Sequence, residues 1–362
     1  MEGKRLLIIT PIFYGNAGGA AVYYRLLFQL LSEEKQISVS VISEAEREST
    51  LDRYYGLFPP WAGKDRKYLR DLFYYGIQNV RYLCVNDVIE KEKPDAVLVH
   101  SSFFNHPGIF NLVIAGARKK YKDIKFIVDV RDRLLPTRKI PIMKSFDNII
   151  ACSENVKAHL LNGGLREESV VVVPVIQEPI EINRAVAEKI RNRYFGDVVR
   201  FIIYVGAVKE DKGVDTLLRA YKNVVKSRFP DAVLGIVGLN KFRLRSSRDL
   251  LMSEGVRFLG KLPREQSLAL ISEASVCVNV SPNEGMPRSS LEALALQRPV
   301  LLPPNVPEFE RNCPGHVLSE YSEGSIGEKL CELLENPTVP EYPIKSHLAY
   351  NVIPMYKALL RL

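Results

Sequence analysis

The sequence predicts an α/β protein built from two doubly wound parallel-sheet domains. Short apolar, β-branched runs alternate with amphipathic stretches along most of the chain, the pattern of a parallel sheet covered by helices on both faces. The alternation pauses at a proline-containing stretch, VPVIQEPIEI, and then begins again. With 362 residues, 46% of them hydrophobic and 25% charged, the chain is long enough to bury two separate cores.

In chain order, RLLIITPIF, ISVSVIS, DAVLVHS, KFIVDV, NIIACS and VVVVP read as the strands of the first half. RFIIYVG, AVLGIVG, VRFLG, SVCVNV and PVLLP read as those of the second. This gives a first domain over residues 1–180 and a second over 181–345. Residues 346–362 follow the proline-rich NPTVPEYPIK and read as an amphipathic helix, and periodicity leaves open which domain that helix covers.

The formal charge of +8 points to an acidic partner such as a nucleotide or an anionic membrane surface. Nucleic acid is disfavoured, because the chain has no zinc-finger spacing, RNA-recognition signature or basic tail. The five cysteines, Cys84, Cys152, Cys277, Cys313 and Cys331, form no CxxC pair and read as reduced core thiols. The apolar run before Pro11 is too short for a signal peptide or a membrane span, so a cytoplasmic protein is expected.

Three stretches carry candidate chemistry. GNAGGAA follows the first strand and opens a helix, where Gly18 and Gly19 suit either a tight turn or a close backbone approach to a ligand. GAVKEDKG, from Gly206 to Gly213, holds the same place in the second domain and sets Lys212 near a helix start, either as a solvated loop lysine or as a cation with an anion bound beside it. SPNEGMPRSSLEAL sets Glu284 before a helix and Glu292 in its second turn. Carboxylates there would repel a lone phosphate. A nucleotide sugar fits them better: the helix tip takes the diphosphate, and each carboxylate accepts hydrogen bonds from hydroxyls at one end of the molecule.

The E-x7-E spacing in NEGMPRSSLEALALQRPVLLP, preceded in order by GAVKEDKG, VGL, VRFLGKLPREQ and SVCVNVSP, resembles the donor domain of retaining glycosyltransferase family 4. The Gly-Gly loop after the first strand is similar to that family's acceptor domain. The resemblance implies the GT-B architecture, two Rossmann-like domains facing across a cleft, often with a last helix crossing back to the first domain. It implies transfer of a sugar from a nucleoside-diphosphate sugar with retention, Glu284 contacting the donor sugar and Glu292 the ribose hydroxyls. Lys212 would bind the diphosphate with Gly206, Ala207, Gly285, Met286, Pro287, Arg288 and Ser289. The base would lie between the loop after Gly238 and the strand from Arg257 to Lys261. Gly18 and Gly19 would line the acceptor side. Apart from the resemblance, His100 ends a predicted strand and His106 follows shortly after it, and each suits either a place facing the cleft or a satisfied structural role.

The chain departs from the family pattern in places. Ala207 stands where many relatives carry arginine, leaving Lys209 or Arg288 to supply that charge. In VDVRD, Arg131 stands at about the place of a histidine found in many relatives, with Asp132 following, and both are carried as catalytic candidates. VPVIQEP lacks the Asn-Gly common at the domain junction. No Asp-x-Asp triplet is present to hold a divalent ion, so neither a metal nor a cofactor is expected.

Residues 51–83 mix aromatics, among them Tyr54, Trp61 and Tyr74, with Arg53, Lys64, Arg66, Lys67 and Arg70. That mixture suits a peripheral membrane contact at the inner face and a lipid-linked acceptor or cell-surface glycan precursor, although aromatic packing in the core under a solvated basic face is the more ordinary reading. The competing functions are an inverting GT-B transferase, a nucleotide-sugar epimerase and a non-catalytic sugar-nucleotide binder. A nicotinamide-dependent oxidoreductase is disfavoured by the missing GxGxxG and ribose-binding acid.

Overall fold

The computed structural model describes residues 3–10, 19–43, 54–56, 78–101, 109–131 and 135–362. They fall into two compact units, Met1–Ile176 with Ala349–Leu362, and Gln177–Leu348. The second unit starts and ends a few residues away from 181 and 345 because its ends are tied together, Gln177 N donating to His347 O at 2.8 Å.

The first unit holds a seven-stranded sheet in the order β3-β2-β1-β4-β5-β6-β7. Its strands are β1 (Lys4–Ile9), β2 (Ile37–Ser43), β3 (Tyr54–Gly56), β4 (Ala96–His100), β5 (Lys125–Val130), β6 (Asn148–Ala151) and β7 (Val170–Val172). Every pairing is parallel. Burial accounts for the sequence pattern: all of β4 and the run Leu6–Ile9 of β1 are buried, which a strand covered on both faces requires. The edge strand β3 pairs Val41 with Tyr54 and was not expected, since its three residues carry no β-branched run. The rest of the 51–83 stretch up to Gln78 lies outside the described residues.

The C-terminal helix Ala349–Leu360 is part of this first unit and buries Val352, Ile353, Tyr356 and Leu360. Lys357 pairs with Glu34 at 2.8 Å, beyond the end of the Gly19–Ser32 helix that follows β1.

The second unit holds a five-stranded parallel sheet in the order β10-β9-β8-β11-β12. Its strands are β8 (Phe201–Val205), β9 (Val233–Val237), β10 (Val256–Gly260), β11 (Val276–Val278) and β12 (Val300–Leu301). Its core gathers Ile202, Leu234, Ile236 and Val276 from the sheet with Leu217, Leu218, Tyr221 and Leu330 from the helices.

In each sheet the strand order reverses once, between β1 and β4 and between β8 and β11. Loops leaving the carboxyl ends of such neighbouring strands diverge to opposite faces, which opens a crevice where ligands bind in doubly wound folds. Of the stretches singled out by sequence, GAVKEDKG follows β8 and SPNEGMPRSS follows β11, whereas Arg131 follows β5 and Gly238 follows β9. Among the described residues no helix is long and apolar enough to cross a membrane. Cys152, Cys277, Cys313 and Cys331 are free and buried, and burial pushes the Cys277 thiol up to about 12 and that of Cys313 to about 11.

Candidate functional site

In the second unit the loops after β8 and β11 meet. Lys212 Nζ donates to Glu284 Oε1 at 2.8 Å, with the two side chains 21% and 14% exposed. Lys212 ends a 3-10 turn, Glu210–Lys212, and the next residue, Gly213, is left-handed with φ of 70°. A Cβ there would stand 2.3 Å from the Tyr321 hydroxyl and 3.0 Å from Val280 O, so the turn that aims Lys212 requires glycine in both backbone angle and space.

The loop before it is held from three sides. Tyr204, buried at the end of β8, donates its hydroxyl to Ala207 O at 2.9 Å, beside Gly206. Burial raises the Tyr204 phenol, and the nearby Glu284 and Asp211 charges raise it further, so it remains a donor. Val208 N donates to Leu239 O at 3.0 Å, stitching this loop to the one after β9. Glu210 accepts from the backbone N–H groups of Arg243 and Leu244, both at 3.0 Å, which lower its carboxyl below the ordinary value.

The helix after β11 runs Arg288–Ala295, with Pro287 at its N-cap position and no side chain capping it. Pro287 thus precedes the first turn and offers it no side-chain cap. Gly285, Met286 and Pro287 are buried, while Arg288 and Ser289 are partly exposed. Glu292 sits in the second turn at only 8% exposure. Its Oε1 faces two guanidinium groups, Arg264 Nη2 at 3.4 Å and Arg288 Nη2 at 3.8 Å. Burial raises the Glu292 carboxyl, Arg288 and Arg264 pull it back only in part, and Glu178 adds to the rise.

Both residues proposed to supply the charge left open by Ala207 have acidic neighbours in the fold. Lys209 pairs with Asp211 at 2.8 Å, and Arg288 turns along its own helix toward Glu292. Beside the expected base site, Gly238 N donates to Gly260 O at 2.8 Å. Arg257 is directed away into packing, its guanidinium bonded to Tyr194 O and 5.6 Å from the Phe195 ring centre.

In the first unit, Arg131 lies in a buried network rather than open to solvent. Its Nε donates to Asp129, and its Nη2 donates to the Tyr23 hydroxyl at 2.7 Å and to the Tyr356 hydroxyl. Asp129 has no exposure and also accepts from Tyr24 at 2.8 Å and from Tyr356 at 3.3 Å. Burial alone would lower the Arg131 pKa, but Asp129, Tyr23 and Tyr356 outweigh it and hold the group charged. His100, at the end of β4, is buried with its ring edge-on to Tyr24 at 5.1 Å. Gly19 opens the helix after β1, whereas Gly18, His106 and Asp132 lie outside the described residues.

Sequence reasoning missed Tyr204, Arg264 and Glu178. Tyr204 had a signal, the one aromatic hydroxyl in the strand end FIIYVG. Arg264 and Glu178 had none, because their pairing depends on packing between distant segments.

Residues 187–347, all within the second unit, match the family model described as Glycosyl transferases group 1. The chain is 23% identical over 205 residues to an uncharacterized glycosyltransferase of Methanocaldococcus jannaschii, covering 54% of this chain and 51% of that protein. It spans about half the length of the curated relatives it matches. Among solved structures it resembles HepE of Anabaena in complex with UDP and glucose, with TM-score 0.66, 14% identity and coverage of 99% of this chain and 95% of that one. It also resembles the lipopolysaccharide outer core galactosyltransferase WaaB, with TM-score 0.67, 15% identity and coverage of 99% of each chain. At these identities the likeness is one of fold: two parallel-sheet α/β domains of the GT-B type.

Proposed function

We propose that this chain is a retaining glycosyltransferase, similar to family 4, that moves a sugar from a nucleoside-diphosphate sugar to an acceptor. The observation that carries the reading is the meeting of Lys212 and Glu284 at the strand reversal of the unit whose sequence matches group 1 glycosyltransferases. In this reading Lys212 and the N–H groups at the start of the Arg288–Ala295 helix receive the diphosphate, and Glu292 accepts from the ribose hydroxyls. Glu284 meets the donor sugar. The complexes of HepE with UDP and UDP-glucose support a uridine nucleotide as the first donor to try.

The acceptor side is assigned to the first unit, through Gly18, Gly19, His100 and His106, with Arg131 and Asp132 retained as catalytic candidates. An acceptor that is lipid-linked or a cell-surface glycan precursor follows from the aromatic and basic residues between 51 and 83, as does a cytoplasmic protein held at the inner face of a membrane. The galactosyltransferase activity named for WaaB is compatible with that acceptor class.

The test is a thermal-shift screen over nucleoside diphosphates and their sugars, followed by a transfer or hydrolysis assay on each hit. A ligand at a hundred times its dissociation constant stabilises by about 2.7 kcal/mol, well within detection. No shift with any nucleoside diphosphate would overturn the proposal. Binding without transfer or hydrolysis would point to a non-catalytic binder.

A further inference from the structure

Two helices of the second unit open with an arginine, Arg264–Glu273 and Arg288–Ala295, and neither has a side-chain cap. A cation at the first helical position is opposed by the helix dipole, so both arginines need compensation. They share one carboxylate. Glu292 Oε1 is 3.4 Å from Arg264 Nη2 and 3.8 Å from Arg288 Nη2. On its other side Arg264 reaches a second acid, its Nη1 standing 3.5 Å from Glu178 Oε2. The result is an alternating series, Glu178, Arg264, Glu292, Arg288, drawn from three separate segments.

These separations are those of ion pairs rather than of short, directed hydrogen bonds. Arg264 Nη1 is buried yet has no hydrogen-bond partner, despite its distance to Glu178. Both guanidinium groups approach the same oxygen of Glu292. A carboxylate has about four lone-pair sites, so these two contacts leave Glu292 acceptor capacity.

We propose that Arg264 is a positioning residue: it keeps Glu292 ionised and fixed in place as an acceptor for vicinal hydroxyls, with Glu178 competing for the same guanidinium. This deepens the donor-site reading above and rests on it. Arg288 lies on the helix of Glu292 itself and moves with it. Arg264 lies on another helix and fixes the carboxylate from outside. Of the charged groups facing Glu292, Arg264 and Arg288 favour its ionised form, and Glu178 opposes it.

The test is calorimetric titration of the full chain with UDP, ADP and GDP between pH 5.5 and 8.5, for the wild type and for Arg264→Gln, Arg264→Lys and Glu178→Gln. Removing the Arg264 charge raises the Glu292 pKa, so affinity in Arg264→Gln should fall about tenfold near neutral pH and recover as pH rises. Arg264→Lys should restore most of the loss. Glu178→Gln should shift the pH profile the opposite way, because an opposing charge is gone. A wild type that binds a nucleoside diphosphate, with Arg264→Gln binding equally well and with the same pH profile, would overturn the role of Arg264 and leave the donor site standing. A loss of affinity that is independent of pH and not restored by lysine would also overturn it, since a merely structural defect behaves that way. If the wild type binds none of the three nucleotides, the donor reading fails and this inference fails with it.

Discussion

Lys212 Nζ and Glu284 Oε1 stand 2.8 Å apart, joining the loop after β8 to the loop after β11 across the strand reversal of the second unit. The pair resolves the difficulty raised by acids near a helix start. Glu284 is neutralised by a fixed cation, and that cation also offsets the repulsion an incoming diphosphate would feel.

The first expectation concerns this pair. Charge-assisted hydrogen bonds are worth about 1.5 to 3 kcal/mol, so Lys212→Ala should weaken nucleoside-diphosphate binding about ten- to a hundred-fold. Glu284→Gln should lower turnover with a much smaller effect on nucleotide affinity, because its assigned partner is the sugar. Calorimetry and steady-state kinetics on both variants check this. Equal loss of nucleotide affinity in both would place Glu284 at the diphosphate instead.

Glu292 should show a conflict between stability and binding. Its carboxyl is raised by burial, so the folded state holds the proton more tightly than the unfolded chain does. That linkage favours folding at low pH and is lost as pH rises through the folded-state value. Glu292→Gln removes it, so the variant should melt higher than the wild type at pH 8, with the advantage vanishing below the ordinary glutamate value of about 4.3. The same variant should bind nucleotide about ten-fold or more weakly. Melting curves at pH 4 and 8 decide the first point; a variant less stable at both would mean that Arg264 and Arg288 depend on the charge more than burial opposes it.

The sheets were legible because their strands are covered on both faces and read as unbroken apolar runs, Leu6–Ile9 and Ala96–His100 being plain cases. β3 was not, since a three-residue edge strand carries too few residues to show a period. In the candidate site, the order of GAVKEDKG and the E-x7-E unit led to the expectation that Lys212, Glu284 and Glu292 act together, and the fold joins the first two. That order did not show that Lys212 bonds Glu284, nor that Arg264 reaches Glu292. Such contacts are set by how β8 pairs with β11 and how two helices pack, and neither leaves a mark in local sequence. VDVRD was read for chemistry alone. In the fold Asp129 and Arg131 meet Tyr356 from the far end of the chain, a partner no window of sequence contains.

That network supplies a stability expectation. Tyr356→Phe removes a hydroxyl bonded to Arg131 and Tyr23 in the first unit and should cost about 1 to 3 kcal/mol. Arg131→Met should cost more, about 3 to 5 kcal/mol, because Asp129 is left charged in a fully buried place. Urea unfolding measures both. If Arg131→Met unfolds like the wild type but loses turnover, Arg131 belongs with the reacting groups and not with the frame.

Metal dependence separates two ways of holding a leaving diphosphate. The chain has no Asp-x-Asp triplet, and the proposed counter-charge is Lys212 with the helix start at Arg288. Activity should therefore persist in excess EDTA. Loss of transfer on chelation, restored by manganese or magnesium, would give the leaving-group role to a metal, and Lys212→Ala would then matter little.

The stereochemical expectation is that the product keeps the anomeric configuration of the donor. An inverting displacement needs a general base opposite the leaving group to take the acceptor proton. The guanidinium of Arg131 stays protonated and is bound to Asp129, so it offers no such base. His100 is buried at 7% exposure against Tyr24. In a same-face reaction the bond from the anomeric carbon to the diphosphate breaks with its electron pair leaving on phosphate oxygen. The acceptor oxygen bonds to that carbon from the same side, and its proton passes to the departing phosphate. The protein then needs only to hold donor and acceptor together and to stabilise the growing charge, which Lys212 and the N–H groups after Pro287 are placed to do. NMR of the freshly formed linkage, made from a donor of known configuration, gives the answer. An inverted product would transfer the base role to Asp132 or His106, and Asp132→Asn should then abolish transfer while leaving nucleotide affinity intact.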